Sequence, residues 1–144
     1  MFDPSQADVR KFFCGVWKKH GEATLLTPLE AIALDWILEH PEYQINLQDV
    51  DSALTADYSV DKARTNPFLH LSMHLAIAEQ ISIDQPPGIK SAFTTLSHRH
   101  NSLHEAAHKI MDCLGEVIWV SQRSNLPPDG AAYIDCIKRK ATLS

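Results

Sequence analysis

Helix-starting signals recur along this chain, each followed by apolar residues spaced three and four apart, and that combination points to an all-α fold. Asp3-Pro4-Ser5-Gln6 offers Asp3 as N-cap, a proline at the first helical position and Gln6 in the reciprocal capping place. The helix it opens carries Val9, Phe12, Phe13, Val16 and Trp17 on one face, and Gly21 is expected to close it. Thr27-Pro28-Leu29-Glu30 repeats the device ahead of Ile32, Ala33, Trp36 and Ile37, and Pro41 stops that helix after His40. Leu47-Gln48-Asp49-Val50 is expected to form a short helix, and Ala56 to Thr65 a loop. Asn66-Pro67 starts a third long helix ending near Asp84. A turn at Gln85-Pro86-Pro87-Gly88 and a helix from Ile89 to His100 follow. Ser102-Leu103-His104-Glu105 reads as another capping box, opening a helix that reaches Gln122. Asn125 to Gly130 is a loop, and Ala132, Tyr133, Cys136 and Ile137 stripe a final helix. No alternating apolar run is long enough to argue for a sheet, and no internal repeat is visible. The expectation is a single domain over residues 1–144, an irregular bundle of five or six helices.

The bulk properties bound the function. At 144 residues, 44% hydrophobic and 22% charged, the chain suits one soluble domain with a substantial core. A net charge of −5 is the wrong sign for wrapping nucleic acid. Asp3, Asp8, Arg10 and Lys11 interrupt any apolar leader, and the most apolar segment, Pro67 to Ala78, is too short to span a bilayer. Cys14, Cys113 and Cys136 are odd in number and far apart, with no CxxC. They are therefore expected to be small apolar residues in a reducing cytosol, with no disulfide frame. From these features the protein is expected in the cytoplasm, with neither nucleic acid nor membrane as partner.

Two histidine pairs, His70/His74 and His104/His108, stand four residues apart on helices. Each pair can aim two imidazoles at one point, a common way for helices to hold a transition metal. The helix of the first pair is apolar nearly all round (Phe68, Leu69, Leu71, Met73, Leu75, Ile77, Ile81), so it is expected to be central and its histidines buried. For either histidine alone, the ordinary role is a hydrogen bond that fixes the core. The second helix has an apolar side in Leu103, Ala107, Ile110, Leu114 and Val117. Its other face carries Glu105, His108, Lys109, Asp112, Glu116 and Trp119. Both pairs lie in the first two turns of helices expected to run parallel, where the positive dipole end keeps imidazoles neutral. His70, His74 and His108, with Asp112 or Glu116, thus make a candidate site for zinc, iron or manganese.

His104-Glu105-Ala106-Ala107-His108 also spells the zinc-protease HExxH pattern. The metzincin continuation is missing, because Met111 and Leu114 occupy the glycine and histidine places, and Glu105 already has a capping duty. Glu105 and His108 match one Glu-x-x-His half of a di-iron bundle, for which the chain holds no second copy. There is no GxSxG and no phosphate-cradling glycine loop.

Asn66-Pro67-Phe68-Leu69-His70, continuing through His74-Leu75-Ala76-Ile77 to Glu79-Gln80, forms a more specific signature. His40-Pro41-Glu42-Tyr43 precedes it, and Glu105 to His108, Cys113-Leu114-Gly115-Glu116, Trp119 and Gln122-Arg123 follow. From about Phe13 to Ile137 the chain resembles a bacterial family of unknown function, domain-of-unknown-function family 1841. The resemblance implies a short cytosolic protein and brings no activity, substrate or partner. It implies that His70, His74, Glu79, Gln80, His108, Asp112, Glu116 and Arg123 are family-typical polar residues, with His104 less so. Two readings follow. The first is a divalent-metal site with structural or hydrolytic use. The second is a metal-free interaction or oligomerisation module in which the same groups form a buried hydrogen-bond network. A pH-responsive histidine cluster is a third use of the same residues.

Overall fold

The computed structural model describes residues 5–58 and 66–142. Among these residues every regular element is a helix: α1 (Gln6–Gly21), α2 (Pro28–Leu38), a 3-10 turn (Pro41–Tyr43), α3 (Gln44–Leu47), α4 (Val50–Thr55), α5 (Pro67–Ile83), α6 (Ile89–His100), α7 (Leu103–Ser124) and α8 (Gly130–Thr142). The all-α expectation holds. The count of described helices is eight rather than five or six, because the region after α2 is more broken than its sequence suggests.

The caps show how local chemistry sets these bounds. Ser5, not Asp3, is the N-cap of α1: its side chain accepts from the Asp8 amide, and Asp8 returns a bond to the Ser5 amide. Asp3 and Pro4 lie outside the described residues. Thr27 and Glu30 form the same reciprocal box at α2. Gly21 does not end α1 in the expected way. The left-handed position falls at Ala23, φ 56°, where Ala23 N–H donates to His20 O and Thr24 N–H to Lys19 O. Leu47–Val50 is not one helix but the break between two. Asp49 is extended, at φ −131° and ψ 110°, and its carboxylate accepts from Asp51 N–H and caps α4. Of the loop expected at Ala56 to Thr65, residues 59–65 lie outside the described residues.

Contacts group the chain into two compact units, Met1–Leu75 and Ala76–Ser144, with the division falling inside α5. In the first unit, Phe13, Cys14 and Val16 of α1 pack with Ala33 and Ile37 of α2, Leu47, Ala53, and Phe68 and Leu71 of α5. Arg10 is buried among them. It donates to the carbonyls of Ala53 and Ala56 at 2.9 and 2.8 Å, which satisfies the open end of α4.

In the second unit α6, α7 and α8 pack on one another through Ile89, Leu96, Ala106, Ala107, Ile110, Ile134 and Ile137. Gly88, at φ 100°, takes the left-handed turn before α6, and Asp84 accepts there from Gly88 and Lys90 amides. Cys113 of α7 and Cys136 of α8 are bonded as a disulfide, with Cα atoms 5.8 Å apart, and Cys14 is a free buried thiol. This corrects the expectation of unbonded cysteines. The spacing test sees only neighbours in sequence, whereas α8 folds back on α7 and brings together cysteines 23 residues apart. Among the described residues, no helix is long and apolar enough to cross a membrane.

Candidate metal centre

The site begins with the local geometry of α5. Asn66 accepts from the Phe68 and Leu69 amides and caps the helix, which fixes its first turns. His70 and His74 then fall on one face, with their Nε2 atoms 3.1 Å apart. The pair therefore converges as its spacing implies.

A third imidazole joins them from α2. His40 sits just past the helix end, and Pro41 turns the chain there. Its Nδ1 lies 2.9 Å from the Trp36 carbonyl, which can only accept, so Nδ1 carries the proton. In the neutral ring this leaves a lone pair on Nε2, and that atom stands 3.0 Å from His70 Nε2. One ring nitrogen from each of His40, His70 and His74 thus lies within 4.8 Å of the others.

Aromatic rings hold the cluster in place. The Trp36 indole stacks on His74 with centroids 3.8 Å apart and planes 10° from parallel. Tyr43 stacks on His40 at 5.3 Å and 2°. Burial, reinforced by the Glu42 carboxylate, pushes the Tyr43 phenol above its usual range, so it stays neutral beside the imidazoles. His74 and His40 are 1% and 5% exposed, while His70 is half-buried.

Sequence reasoning missed His40. It treated the residue as the end of a helix before proline, although Trp36 and His40 are themselves four apart. The remaining expected site residues lie on α7. His108 is half-buried, with its ring 4.4 Å from that of His104. Asp112 is exposed; Glu116 is exposed too, its Oε2 4.0 Å from Cys136 Sγ. Trp119 is 55% exposed beneath the Arg123 guanidinium, which stands 4.7 Å from its ring centre. Gln80 accepts from the Tyr133 hydroxyl at 2.7 Å, and burial pushes that phenol far up.

The HExxH residues have other occupations. Ser102 accepts from the Glu105 amide, so the N-cap is made. The Glu105 carboxylate lies 3.6 Å from His100 Nδ1.

No curated protein and no solved structure matches this chain. A family model described as Domain of unknown function (DUF1841) matches residues 5–139, nearly the whole length, and the chain therefore belongs to that family.

Proposed function

We propose that this protein binds one divalent transition-metal ion through His40, His70 and His74, and that the ion serves first as a structural tie between the end of α2 and the start of α5. One observation carries the reading: His70 Nε2 stands at 3.0 Å from one imidazole Nε2 and 3.1 Å from another. An imidazole nitrogen has a single in-plane position, filled by either a proton or a lone pair. It can make one good hydrogen bond in its plane, not two. An ion that takes a lone pair from each ring suits such spacing better. Zinc–nitrogen bonds of about 2.0–2.1 Å place two ligand nitrogens about 2.9 Å apart at a right angle and about 3.3 Å apart at the tetrahedral angle. The observed spacings fall between those values.

The donor chemistry narrows the ion. Asp112 and Glu116 are exposed on α7, and the donors of the first unit are imidazoles. Neutral imidazoles favour zinc, then iron, over manganese, which prefers oxygen donors. The metal-free network draws on the same distances, which are also hydrogen-bond lengths. It leaves one of the two His70 contacts without a shared proton, and for that reason it ranks second.

Elemental analysis of untagged protein tests the proposal, with His70→Ala as the comparison. About one equivalent of zinc or iron, absent from the variant, is the expected result. No bound metal, with no thermal response to added zinc, iron or manganese, would leave the histidines as structural polar groups.

A further inference from the structure

A second chemistry lies on α7 and α8, independent of the histidines. A cavity of about 230 Å³ opens between these helices, lined by Val117, Val120, Leu126 and Pro127, and it reaches Cys136, Glu116 and Arg139. Cys113 is fully enclosed, whereas Cys136 retains 6% exposure and borders the cavity. The disulfide therefore presents one sulfur to small molecules and shields the other. Glu116 Oε2 stands 4.0 Å from the Cys136 sulfur. A disulfide sulfur has no proton to give that carboxylate; a Cys136 thiol would have one. Glu116 is thus positioned to accept a hydrogen bond from Cys136 once that sulfur is a thiol.

We infer that Cys113–Cys136 is a redox-active disulfide, reduced in the folded protein by a small dithiol that enters this cavity. One thiolate of the dithiol attacks Cys136 Sγ, and the Cys113–Cys136 bond breaks. Its electron pair leaves on Cys113 Sγ, which takes up a proton. The second thiolate then attacks the dithiol's own sulfur in the mixed disulfide. This closes the dithiol into a disulfide and releases Cys136, which takes up a proton shared with Glu116. Two electrons and two protons pass from the dithiol to the two cysteines. Cys136, at the border of the cavity, has the access such a couple needs. Glu116 acts here as a positioning residue, stabilising the Cys136 S–H.

The test is reduction of the native full-length protein by dithiothreitol without denaturant, followed by alkylation and mass spectrometry, with helicity monitored in parallel. Expected are complete reduction of Cys113–Cys136 with helicity retained and reoxidation by oxidised dithiothreitol. Ala132→Trp, which fills the cavity from its exposed rim, should slow reduction about tenfold. Glu116→Gln should shift the dithiol-to-disulfide ratio about threefold towards disulfide at fixed buffer composition, as loss of one modest hydrogen bond requires. The inference is overturned by reduction only at the global unfolding rate, equal in wild type and Ala132→Trp. It is overturned equally by a Glu116→Gln ratio unchanged from wild type, or by protein whose two thiols resist oxidation.

Discussion

His70→Ala separates a metal centre from a hydrogen-bond network because the two assign opposite values to that side chain. In metal-free buffer His70 is half-buried, and only one of its contacts to His40 and His74, at 3.0 and 3.1 Å, can share a proton. Truncation removes at most one good hydrogen bond, and alanine is the better helix former. The net cost is about 1 kcal/mol or less. With zinc present the balance changes. An ion at a thousand times its dissociation constant stabilises the folded state by about 4 kcal/mol. For a chain of this length that raises Tm by about 10–15 °C.

The assay is a set of thermal melts of wild type and His70→Ala, each with chelator and with zinc. The expected pattern is similar Tm values in chelator and a large zinc-dependent rise in wild type alone. An equal rise in both proteins would place the bound metal elsewhere. A large loss for the variant in chelator, with no zinc response in wild type, would refute the argument from shared lone pairs and favour the network.

Three further outcomes follow from the first unit. Arg10→Met keeps the apolar stem but leaves the Ala53 and Ala56 carbonyls, now 2.9 and 2.8 Å from Nη1, without that donor. A loss of about 2–4 kcal/mol is expected in denaturant titration, and a loss below about 1 kcal/mol would mean water replaces the guanidinium. Ala23→Gly relieves a left-handed residue at φ 56° and should stabilise the protein by about 0.5–1 kcal/mol, with an unchanged or lower midpoint contradicting that reading. The bond from Lys19, with help from the Thr27 amide, holds the Glu30 carboxyl below its usual range. A lowered folded value means that its stabilisation is full above the unfolded value and is lost as pH falls through the folded one. Lys19→Met should therefore flatten the acid limb of a stability–pH profile and leave neutral-to-alkaline behaviour unchanged in shape.

What the sequence disclosed follows the range of its signals. Caps act within four residues, so Thr27 with Glu30, and Ser102 with the Glu105 amide, mark their helices correctly. The same range explains the convergence of His70 and His74, which one helix dictates. His40 comes from 30 residues upstream of His70, and no periodicity spans the broken segment between α2 and α5. Cys113 and Cys136 meet only because α8 folds back on α7, which lies beyond any local motif. Gly21 is the last residue of α1, as expected, and only the closing conformation differs. Glycine is the usual left-handed closer, yet here the chain places alanine in that conformation two residues later and accepts the strain.

The surroundings of the imidazoles bear on what a metal would do there. Neutral ligands leave a divalent ion its full charge, and the nearest rings, Trp36 and Tyr43, offer no anion to offset it. A structural centre is closed by a fourth ligand, whereas hydrolysis needs that position open for water. The Glu105 carboxylate, which HExxH chemistry would use as general base, stands 3.6 Å from His100 Nδ1 instead. If one ligand of the first unit is to yield to water, the geometry singles out His70. His74 is clamped beneath the Trp36 indole at 3.8 Å, and His40 is tethered through Nδ1 to the Trp36 carbonyl at 2.9 Å. His70 is the more exposed of the three, and exchange of that ligand would be the route by which a structural site acquires a reaction.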